Sequence, residues 1–290
     1  MGLRAKFNLM LLAVALIGVV TFALAATPLL EGLARDEVLQ SSRIMMESSA
    51  GTRDYTSAEV APLLEPGMAA TFHPQAVSAY AAKKGFAVLS AKFPDYAYRE
   101  AALNPTNPED RAADWEADII NDFRQHPDKQ EIVLQRSTPM GPVLDLARPI
   151  VNTAPCLTCH STPDAAPKSM IALYGTQNGF GWKPNEIVAA QIVSVPMAVP
   201  LARAARVRWL LLIPYVGVIL LLFLLLNLLL DQLVIGPIDQ MADTAEAVSL
   251  GRLDTLEYAR GGADQIARLS SAINRLRRSL QEALRMLSGQ

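Results

Sequence analysis

Two long apolar runs divide this chain and limit what it can fold into. The first covers residues 9–30, and the second, which is rich in leucine, covers residues 209–230. Each run is about 22 residues long, which is enough for a helix to cross the ~30 Å hydrocarbon core of a bilayer. We therefore expect two membrane spans, a short N-terminal segment at 1–8, and two larger segments at 31–208 and 231–290.

The first apolar run also has features of a signal peptide. Its residues 22–26, Phe-Ala-Leu-Ala-Ala, are similar to the small-residue site at which such peptides are cleaved. We favour an uncleaved anchor because the run has the full spanning length. The composition agrees with a membrane protein, since 51% of the residues are apolar.

The only two cysteines of the chain lie in one string, Cys156-Leu157-Thr158-Cys159-His160. This spacing is the attachment signature of c-type haem. The thiols of Cys156 and Cys159 can each form a thioether with one vinyl group of the porphyrin, and His160 can then bind the iron. We therefore predict one covalently attached haem c.

Other roles for a Cys-x-x-Cys pair fit this string less well. A zinc site would need further ligands, and the two other histidines, His73 and His126, lie far apart in the sequence. A thioredoxin-type pair lies between a strand and a helix, whereas Pro155 and Pro163 predict a loop here. A structural disulfide would leave His160 unexplained.

The haem motif also decides which side of the membrane each segment occupies. Basic residues precede both spans, so the charge rule for orientation is ambiguous. Haem c is attached on the outer face of bacterial membranes, where cysteine pairs persist. We therefore expect a bacterial inner-membrane protein with residues 31–208 in the periplasm and residues 1–8 and 231–290 in the cytoplasm.

The segment between the spans has the pattern of an α+β domain. We expect helices over residues 31–50 and 107–126, the first ended by Gly51 and the second capped by Asn107, and strands over residues 85–93, 131–134, 143–147 and 186–195. A turn string at residues 138–142, Thr-Pro-Met-Gly-Pro, joins two of these strands. This order of elements favours an antiparallel sheet with flanking helices.

Several separate strings of this segment occur in the order found in a known family. They are Tyr80-Ala-Ala, Tyr98-Arg-Glu-Ala-Ala-Leu-Asn-Pro-Thr-Asn-Pro, Ala147-Arg-Pro, Cys156-Leu-Thr-Cys-His-Ser and Gly179-Phe-Gly-Trp-Lys. On these strings, residues 35–200 resemble a family of extracytoplasmic c-haem domains that was long catalogued as a domain of unknown function. The resemblance implies a PAS-like fold with a five-stranded antiparallel sheet, a covalently held haem, and a role in redox or gas sensing.

The second axial position of the iron is where this chain departs from that family. Cyanobacterial members use a cysteine just after the first helix, whereas this chain has Glu-Val-Ala-Pro at residues 59–62. A thiolate ligand is therefore excluded, and imidazole or thioether is the usual alternative. The candidates are His73, Met45 or Met46, followed by His126 or another methionine. An open position, which would admit a diatomic gas, is a further alternative.

Three further side chains are candidates for contact with the haem. Arg148 could pair with a propionate, because guanidinium binds carboxylate well, and Trp182 and Tyr174 could pack on the porphyrin. The chain has only three histidines and shows no nucleophile beside a base, so we do not expect an enzyme. Its net charge of −2 gives no reason to expect a nucleic-acid partner.

The segment after the second span repeats apolar residues at alternating steps of three and four, which is a heptad pattern. The first set is Ile238, Met241, Ala245 and Val248, and the second is Ile266, Leu269, Ile273, Leu276, Leu280, Ala283 and Leu287. With Pro237, Gly251-x-Leu253, Asp264-x-Ile266 and Asn274, these sets resemble a HAMP domain, although Gln265 stands where HAMP domains usually have Glu. The resemblance implies an all-α parallel homodimer, and a generic coiled coil is the alternative.

The order of these parts predicts a membrane-anchored, dimeric c-haem sensor. A change in the oxidation state of the haem, or the binding of a diatomic gas, would pass through the second span to the HAMP-like helices and on to a separate cytoplasmic output protein. The alternative is a membrane-bound c-type cytochrome that transfers electrons in a respiratory or photosynthetic redox complex. The heptads favour the sensor, because signalling needs a two-state element and an electron carrier does not.

Overall fold

The structure, a computed structural model, describes residues 2–252 and 261–287. The chain divides into two compact units. The sheet unit comprises residues 27–207, and the helical unit comprises the described residues among 1–26 and 208–290.

The described residues contain nine α-helices and four strands. The helices are α1 (Leu3–Tyr55), α2 (Ala61–Leu64), α3 (Ser78–Lys92), α4 (Asp114–Gln125), α5 (Ala154–His160), α6 (Lys168–Tyr174), α7 (Ala198–Leu230), α8 (Gly236–Ser249) and α9 (Gln265–Leu287). The strands are β1 (Ala97–Ala102), β2 (Ile132–Thr138), β3 (Gly141–Val151) and β4 (Ile187–Pro196). The strands form one antiparallel sheet in the order β1-β4-β3-β2. The α+β fold with an antiparallel sheet and flanking helices is confirmed, although the family resemblance implied five strands rather than the four of the described residues.

The predicted hairpin and the predicted final strand are both present. Strands β2 and β3 pair antiparallel with Thr138 opposite Gly141. Gly141 has a φ of +116°, which a glycine adopts without a steric penalty. Strand β4 lies between β1 and β3, and almost all of its residues are buried, which explains the continuous apolar run in its sequence.

The strand predicted over residues 85–93 is wrong, because most of this apolar run lies in helix α3. Ala82, Phe86 and Leu89 recur at steps of four and three and pack in the core. That spacing is the repeat of one helix face, and it begins upstream of the window that suggested a strand. The first strand of the sheet is β1 instead.

The helix predicted over residues 31–50 is part of the much longer α1, and Gly51 does not end it. A glycine inside a helix lowers its stability by only about 1 kcal/mol relative to alanine. The packing of α1 on the sheet offsets this loss, and the helix continues beyond Gly51. A π-helical turn, Thr56–Val60, follows directly. Such turns often mark functional regions of a helix.

The helix predicted over residues 107–126 is split in two. The Asn107 side chain accepts a hydrogen bond from the Glu109 N–H over 3.2 Å, as a cap does, but it caps only a short 3-10 turn. Helix α4 begins four residues after that turn, at Asp114. The prediction that Asn107 acts as a cap is therefore confirmed, but the predicted start of the helix is wrong.

The sheet has helices on both faces. On one face, which we call the α1 face, α1 and α3 pack on the strands through Val38, Met46, Phe86, Leu146 and Val193. On the other face, the α4 face, α4 packs through Ile119, Ile120 and Phe123 against Ala147 and Ile192. Because side chains alternate along a strand, each strand contributes to both cores.

In the helical unit, α1 and α7 carry the two apolar runs. Both helices are long and apolar enough to cross a membrane, judged by length and composition. Phe22 stacks on Tyr215 with ring centroids 4.6 Å apart. Arg4 lies 3.5 Å from Asp231, so an ion pair joins the start of α1 to the π-helical turn, Asp231–Ile235, that follows α7.

Helices α8 and α9 pack on each other through one face of each. Helix α8 buries Met241 and Val248, and α9 buries Ala267, Ser270 and Asn274. The steps of three and four between the buried α9 residues follow a heptad. The face that α9 turns toward α8 therefore consists of small and polar residues.

The leucines of the heptad predicted for α9 lie away from this contact. Leu269 and Leu276 are 47% and 68% exposed. Leu253, part of the predicted Gly251-x-Leu253 element, and the side chain of Leu287 lie outside the described residues. The HAMP resemblance stays a prediction.

Candidate haem site

The Cys-x-x-Cys-His string forms helix α5 and not the predicted loop. Pro155 lies in the first turn, where a helix tolerates proline because the N–H it lacks would have no partner there. Cys156 and Cys159 are three residues apart, so their thiols project from the same side of the helix. Both side chains are partly buried, and neither forms a disulfide. Burial, and to a lesser extent Cys156, raises the pKa of Cys159.

The His160 ring is held in one tautomer. Its Nδ1 lies 2.7 Å from the carbonyl oxygen of Gly179, and a carbonyl oxygen can only accept, so Nδ1 carries the proton and donates. Nε2 is then the unprotonated nitrogen, which is the form that binds a metal. Burial lowers the pKa of His160 and so favours the neutral ring, although the Gly179 hydrogen bond opposes this shift.

Two further side chains contact the same ring. The indole of Trp182 stacks on the imidazole of His160, with ring centroids 4.0 Å apart and an interplanar angle of 12°. Oγ1 of Thr106 lies 3.4 Å from Nδ1. Three of the strings that carry the family resemblance, at residues 98–108, 156–161 and 179–183, therefore meet at His160.

Gly179 approaches Thr106 too closely for any other residue. Its φ is +84°, and a Cβ built on it would overlap Oγ1 of Thr106 and lie 2.9 Å from the Thr106 Cα and Cβ. Only glycine combines this backbone angle with this contact. The absence of a side chain is thus what lets the Gly179 carbonyl reach His160.

The methionines proposed as second axial ligands lie in the core of the sheet unit. Met46 is 0% exposed and packs among Val38, Phe86 and Tyr98 on the α1 face. Met45 is partly buried against the same cluster. Both positions fit the ordinary use of methionine as a core side chain.

His73 lies in a turn that packs on helix α6. Its backbone N–H points to the Met68 sulfur over 3.3 Å. Ser169 of α6 donates to the Met68 carbonyl, and the Phe72 ring meets Tyr174 edge-on at 5.8 Å. Tyr174, predicted to pack on the porphyrin, thus packs on this turn.

The two remaining sequence candidates are engaged with carboxylates. Nδ1 of His126 lies 2.8 Å from Oδ1 of Asp122 at the exposed end of α4. Arg148 on the α1 face donates from Nη1 to Glu47 over 2.7 Å, and its Nη2 lies 3.9 Å from Glu131. A propionate contact for Arg148 stays a prediction.

A buried polar network was missed by the sequence reasoning. Tyr98 donates to Oε1 of Glu100 over 2.7 Å, Gln191 donates to the Tyr98 hydroxyl over 3.2 Å, and Arg53 of α1 pairs with the other Glu100 oxygen. Burial, and then the Glu100 charge, raises the pKa of Tyr98. The signal was available, because Tyr98, Glu100 and Ala102 alternate on one face of a strand, which places a carboxylate at an inward position.

The architecture and the motif helix together define a class: a single-sheet α+β domain that carries a Cys-x-x-Cys-His helix. The chain belongs to the Tll0287-like family, whose sequence model, described as Tll0287, matches residues 31–196. The resemblance drawn from the sequence strings is thereby confirmed.

One solved structure is similar to part of this chain. The crystal structure of the cyanobacterial heme-protein Tll0287 matches with 19% sequence identity and a TM-score of 0.45, over 55% of this chain and 95% of that chain. A comparison with the curated proteins gives no match.

Proposed function

We propose that this chain is a membrane-anchored c-type haem protein that senses redox state or a diatomic gas. The observation that carries the proposal is the state of His160: its Nδ1 donates to Gly179 over 2.7 Å, which leaves Nε2 unprotonated beside two thiols that form no disulfide. Membership of the Tll0287-like family supports it.

The residues of helix α5 fit a covalently held haem. Cys156 and Cys159 would hold the porphyrin through thioethers, and His160 would bind the iron through Nε2. When bound, the haem supplies an iron centre that changes oxidation state and, at an open position, binds a diatomic gas. The Gly179 carbonyl keeps the imidazole in the binding tautomer, as the outer contacts of metal-binding histidines generally do.

Among the candidates for the second axial position, the placement of the side chains favours His73. Met46 is fully enclosed in the core, whereas His73 is half-buried in a turn that packs on α6, the helix that follows α5. Replacing His73 with leucine should shift the visible spectrum of the oxidised protein, and replacing the distant His126 with leucine should not. Equal spectra for the wild type and His73→Leu would rule out His73 as the second axial ligand and leave a methionine or an open position.

We propose that the signal leaves the sheet unit through the start of α7. Strand β4 ends at Pro196, and Met197, which is buried, joins it to α7. Leu201 of α7 packs on the core of the α1 face. A shift in that core therefore moves the first turns of α7, which continues as the second apolar run.

We further propose that the exposed leucines of α9 meet a second copy of this chain. Leu269 and Leu276 lie on one side of α9, away from the face that packs on α8. An exposed apolar stripe at heptad spacing is stabilised when it is covered by another helix. This homodimer would pass its state to a separate cytoplasmic protein, and no catalytic role is proposed for the chain itself.

Haem attachment is tested on the purified full-length protein. The haem should stay with the polypeptide on a denaturing gel and give a c-type pyridine haemochrome spectrum, and Cys156→Ser combined with Cys159→Ser should lose it. Loss of the wild-type haem on denaturation would overturn covalent attachment.

Signalling is tested by disulfide cross-linking at α9. Leu276→Cys should cross-link between copies, and the yield should differ between oxidised and reduced haem or change when NO is added. Ser271→Cys, which is exposed elsewhere on the same helix, serves as the matched control. Identical Leu276→Cys yields in all states would favour the electron-carrier alternative.

A further inference from the structure

Trp182 contacts helix α5 in two separate ways. Its indole lies parallel to the His160 imidazole, at 4.0 Å between centroids and 12° between planes. Its backbone N–H donates to the His160 carbonyl over 3.2 Å. The neighbouring Gly181 N–H donates to the Ser161 carbonyl over 2.9 Å, so the segment that carries Trp182 runs along the end of α5.

This segment is fixed at both of its ends. At one end, Gly179 packs closely against Thr106, and its carbonyl accepts the hydrogen bond from His160 over 2.7 Å. At the other end, the fully buried Asn152 donates from Nδ2 to the carbonyl of Lys183 over 2.8 Å. The indole is therefore attached to a rigid support.

We infer that Trp182 is a positioning residue that fixes the rotation of the His160 ring about its bond to the iron; the inference rests on the proposed haem site. An axial imidazole can turn about its metal bond unless its other nitrogen and its faces are held. The Gly179 carbonyl holds Nδ1, and the indole covers one face of the ring. Together the two contacts leave the ring one rotational setting.

The same indole connects His160 to the sheet. Trp182 packs on a small cluster formed by Ala102, Val188, Ala189 and Ile150. Val188 and Ala189 are the second and third residues of β4, the strand that leads into α7. A tilt of the His160 ring is therefore passed by direct contact to the strand that precedes the second apolar run.

The test is the electron paramagnetic resonance spectrum of the oxidised, full-length, haem-loaded protein, because the rotation of an axial imidazole sets the g values of the iron. Trp182→Leu removes the flat ring and should shift the g values and broaden the lines. Trp182→Phe keeps a flat ring and should restore most of the wild-type spectrum. Trp182→Met, whose flexible side chain fills much of the space without a flat face, makes the same test if the leucine variant does not accumulate.

Trp115 provides the matched control. It is also half-buried, but it packs on the α4 face, where the Arg136 guanidinium lies 3.5 Å from its ring centroid. Trp115→Leu should leave the g values unchanged. An unchanged spectrum in both Trp182→Leu and Trp182→Met, or an equal change in Trp115→Leu, overturns the inference. A wild-type protein without covalent haem would instead overturn the proposed function, so the two failures are distinguishable.

Discussion

Replacing Gly179 with alanine tests the geometry that positions His160. The substitution adds one methyl group at a residue with a φ of +84°. The new Cβ would overlap Oγ1 of Thr106 and lie 2.9 Å from the Thr106 Cα and Cβ. Two of these three atoms cannot move away by a rotation of the Thr106 side chain, so the backbone on one side of the contact has to shift.

Two costs contribute to the expected loss of stability. An L-residue held at a left-handed backbone angle costs about 1–2 kcal/mol, and forced overpacking costs about 1–3 kcal/mol. The sum predicts a fall of about 2–5 kcal/mol in the free energy of unfolding. Urea titration of the full-length protein in detergent, followed by haem absorbance, measures this fall.

Gly181 provides the control for the backbone cost alone. Its φ is +80°, and no atom lies within 4 Å of a Cβ built on it. Gly181→Ala should therefore cost only the backbone part, about 1–2 kcal/mol. Thr106→Ala in the Gly179→Ala background should recover part of the loss, because it removes Oγ1 but leaves the Thr106 Cα in place. If Gly179→Ala and Gly181→Ala destabilise equally, the close contact with Thr106 does not exist and the reasoning fails.

The buried polar network gives two further predictions, both measured by denaturant titration of the full chain. Arg53→Met should cost about 3–5 kcal/mol at pH 7, because it leaves the Glu100 carboxylate buried without its charge partner, whereas Arg43→Met, whose pair with Glu131 is more exposed, should cost less than about 1 kcal/mol. Equal losses would contradict the prediction. Burial and the Glu100 charge raise the pKa of Tyr98 above the value of about 10 in an unfolded chain. The folded protein keeps this proton where the unfolded chain loses it, so stability should fall by about 1.4 kcal/mol per pH unit above pH ~10, and Tyr98→Phe should remove that slope. Parallel curves for the two proteins between pH 9 and 11 would rule this out.

The sequence predicted the elements whose signals are local. The hairpin of β2 and β3 was recognisable from a turn string between two apolar runs, and β4 from its continuous apolar residues. The run at residues 85–93 has the same composition as a buried strand, and only the partners of Phe86 and Leu89 in the core decide that it is helical. Short apolar runs are ambiguous in this way because strand and helix bury the same residue types.

The candidate site likewise has features that the local sequence predicts and features that it does not. The role in haem attachment that we predict for Cys156, Cys159 and His160 rests on their spacing alone. The contacts to Nδ1 of His160 come from Thr106, 54 residues before it, and from Gly179, 19 residues after it. Nothing in the local sequence predicts that these positions meet, and only the strings shared with the family marked them as belonging together.

The pairing of Arg53 with Glu100 has a mechanical consequence for α1 within the sheet unit. One turn of sliding along the helix axis, about 5.4 Å, would pull the guanidinium off the carboxylate and leave a charge enclosed by the sheet. The pair therefore opposes the sliding of α1 along its own axis against the sheet.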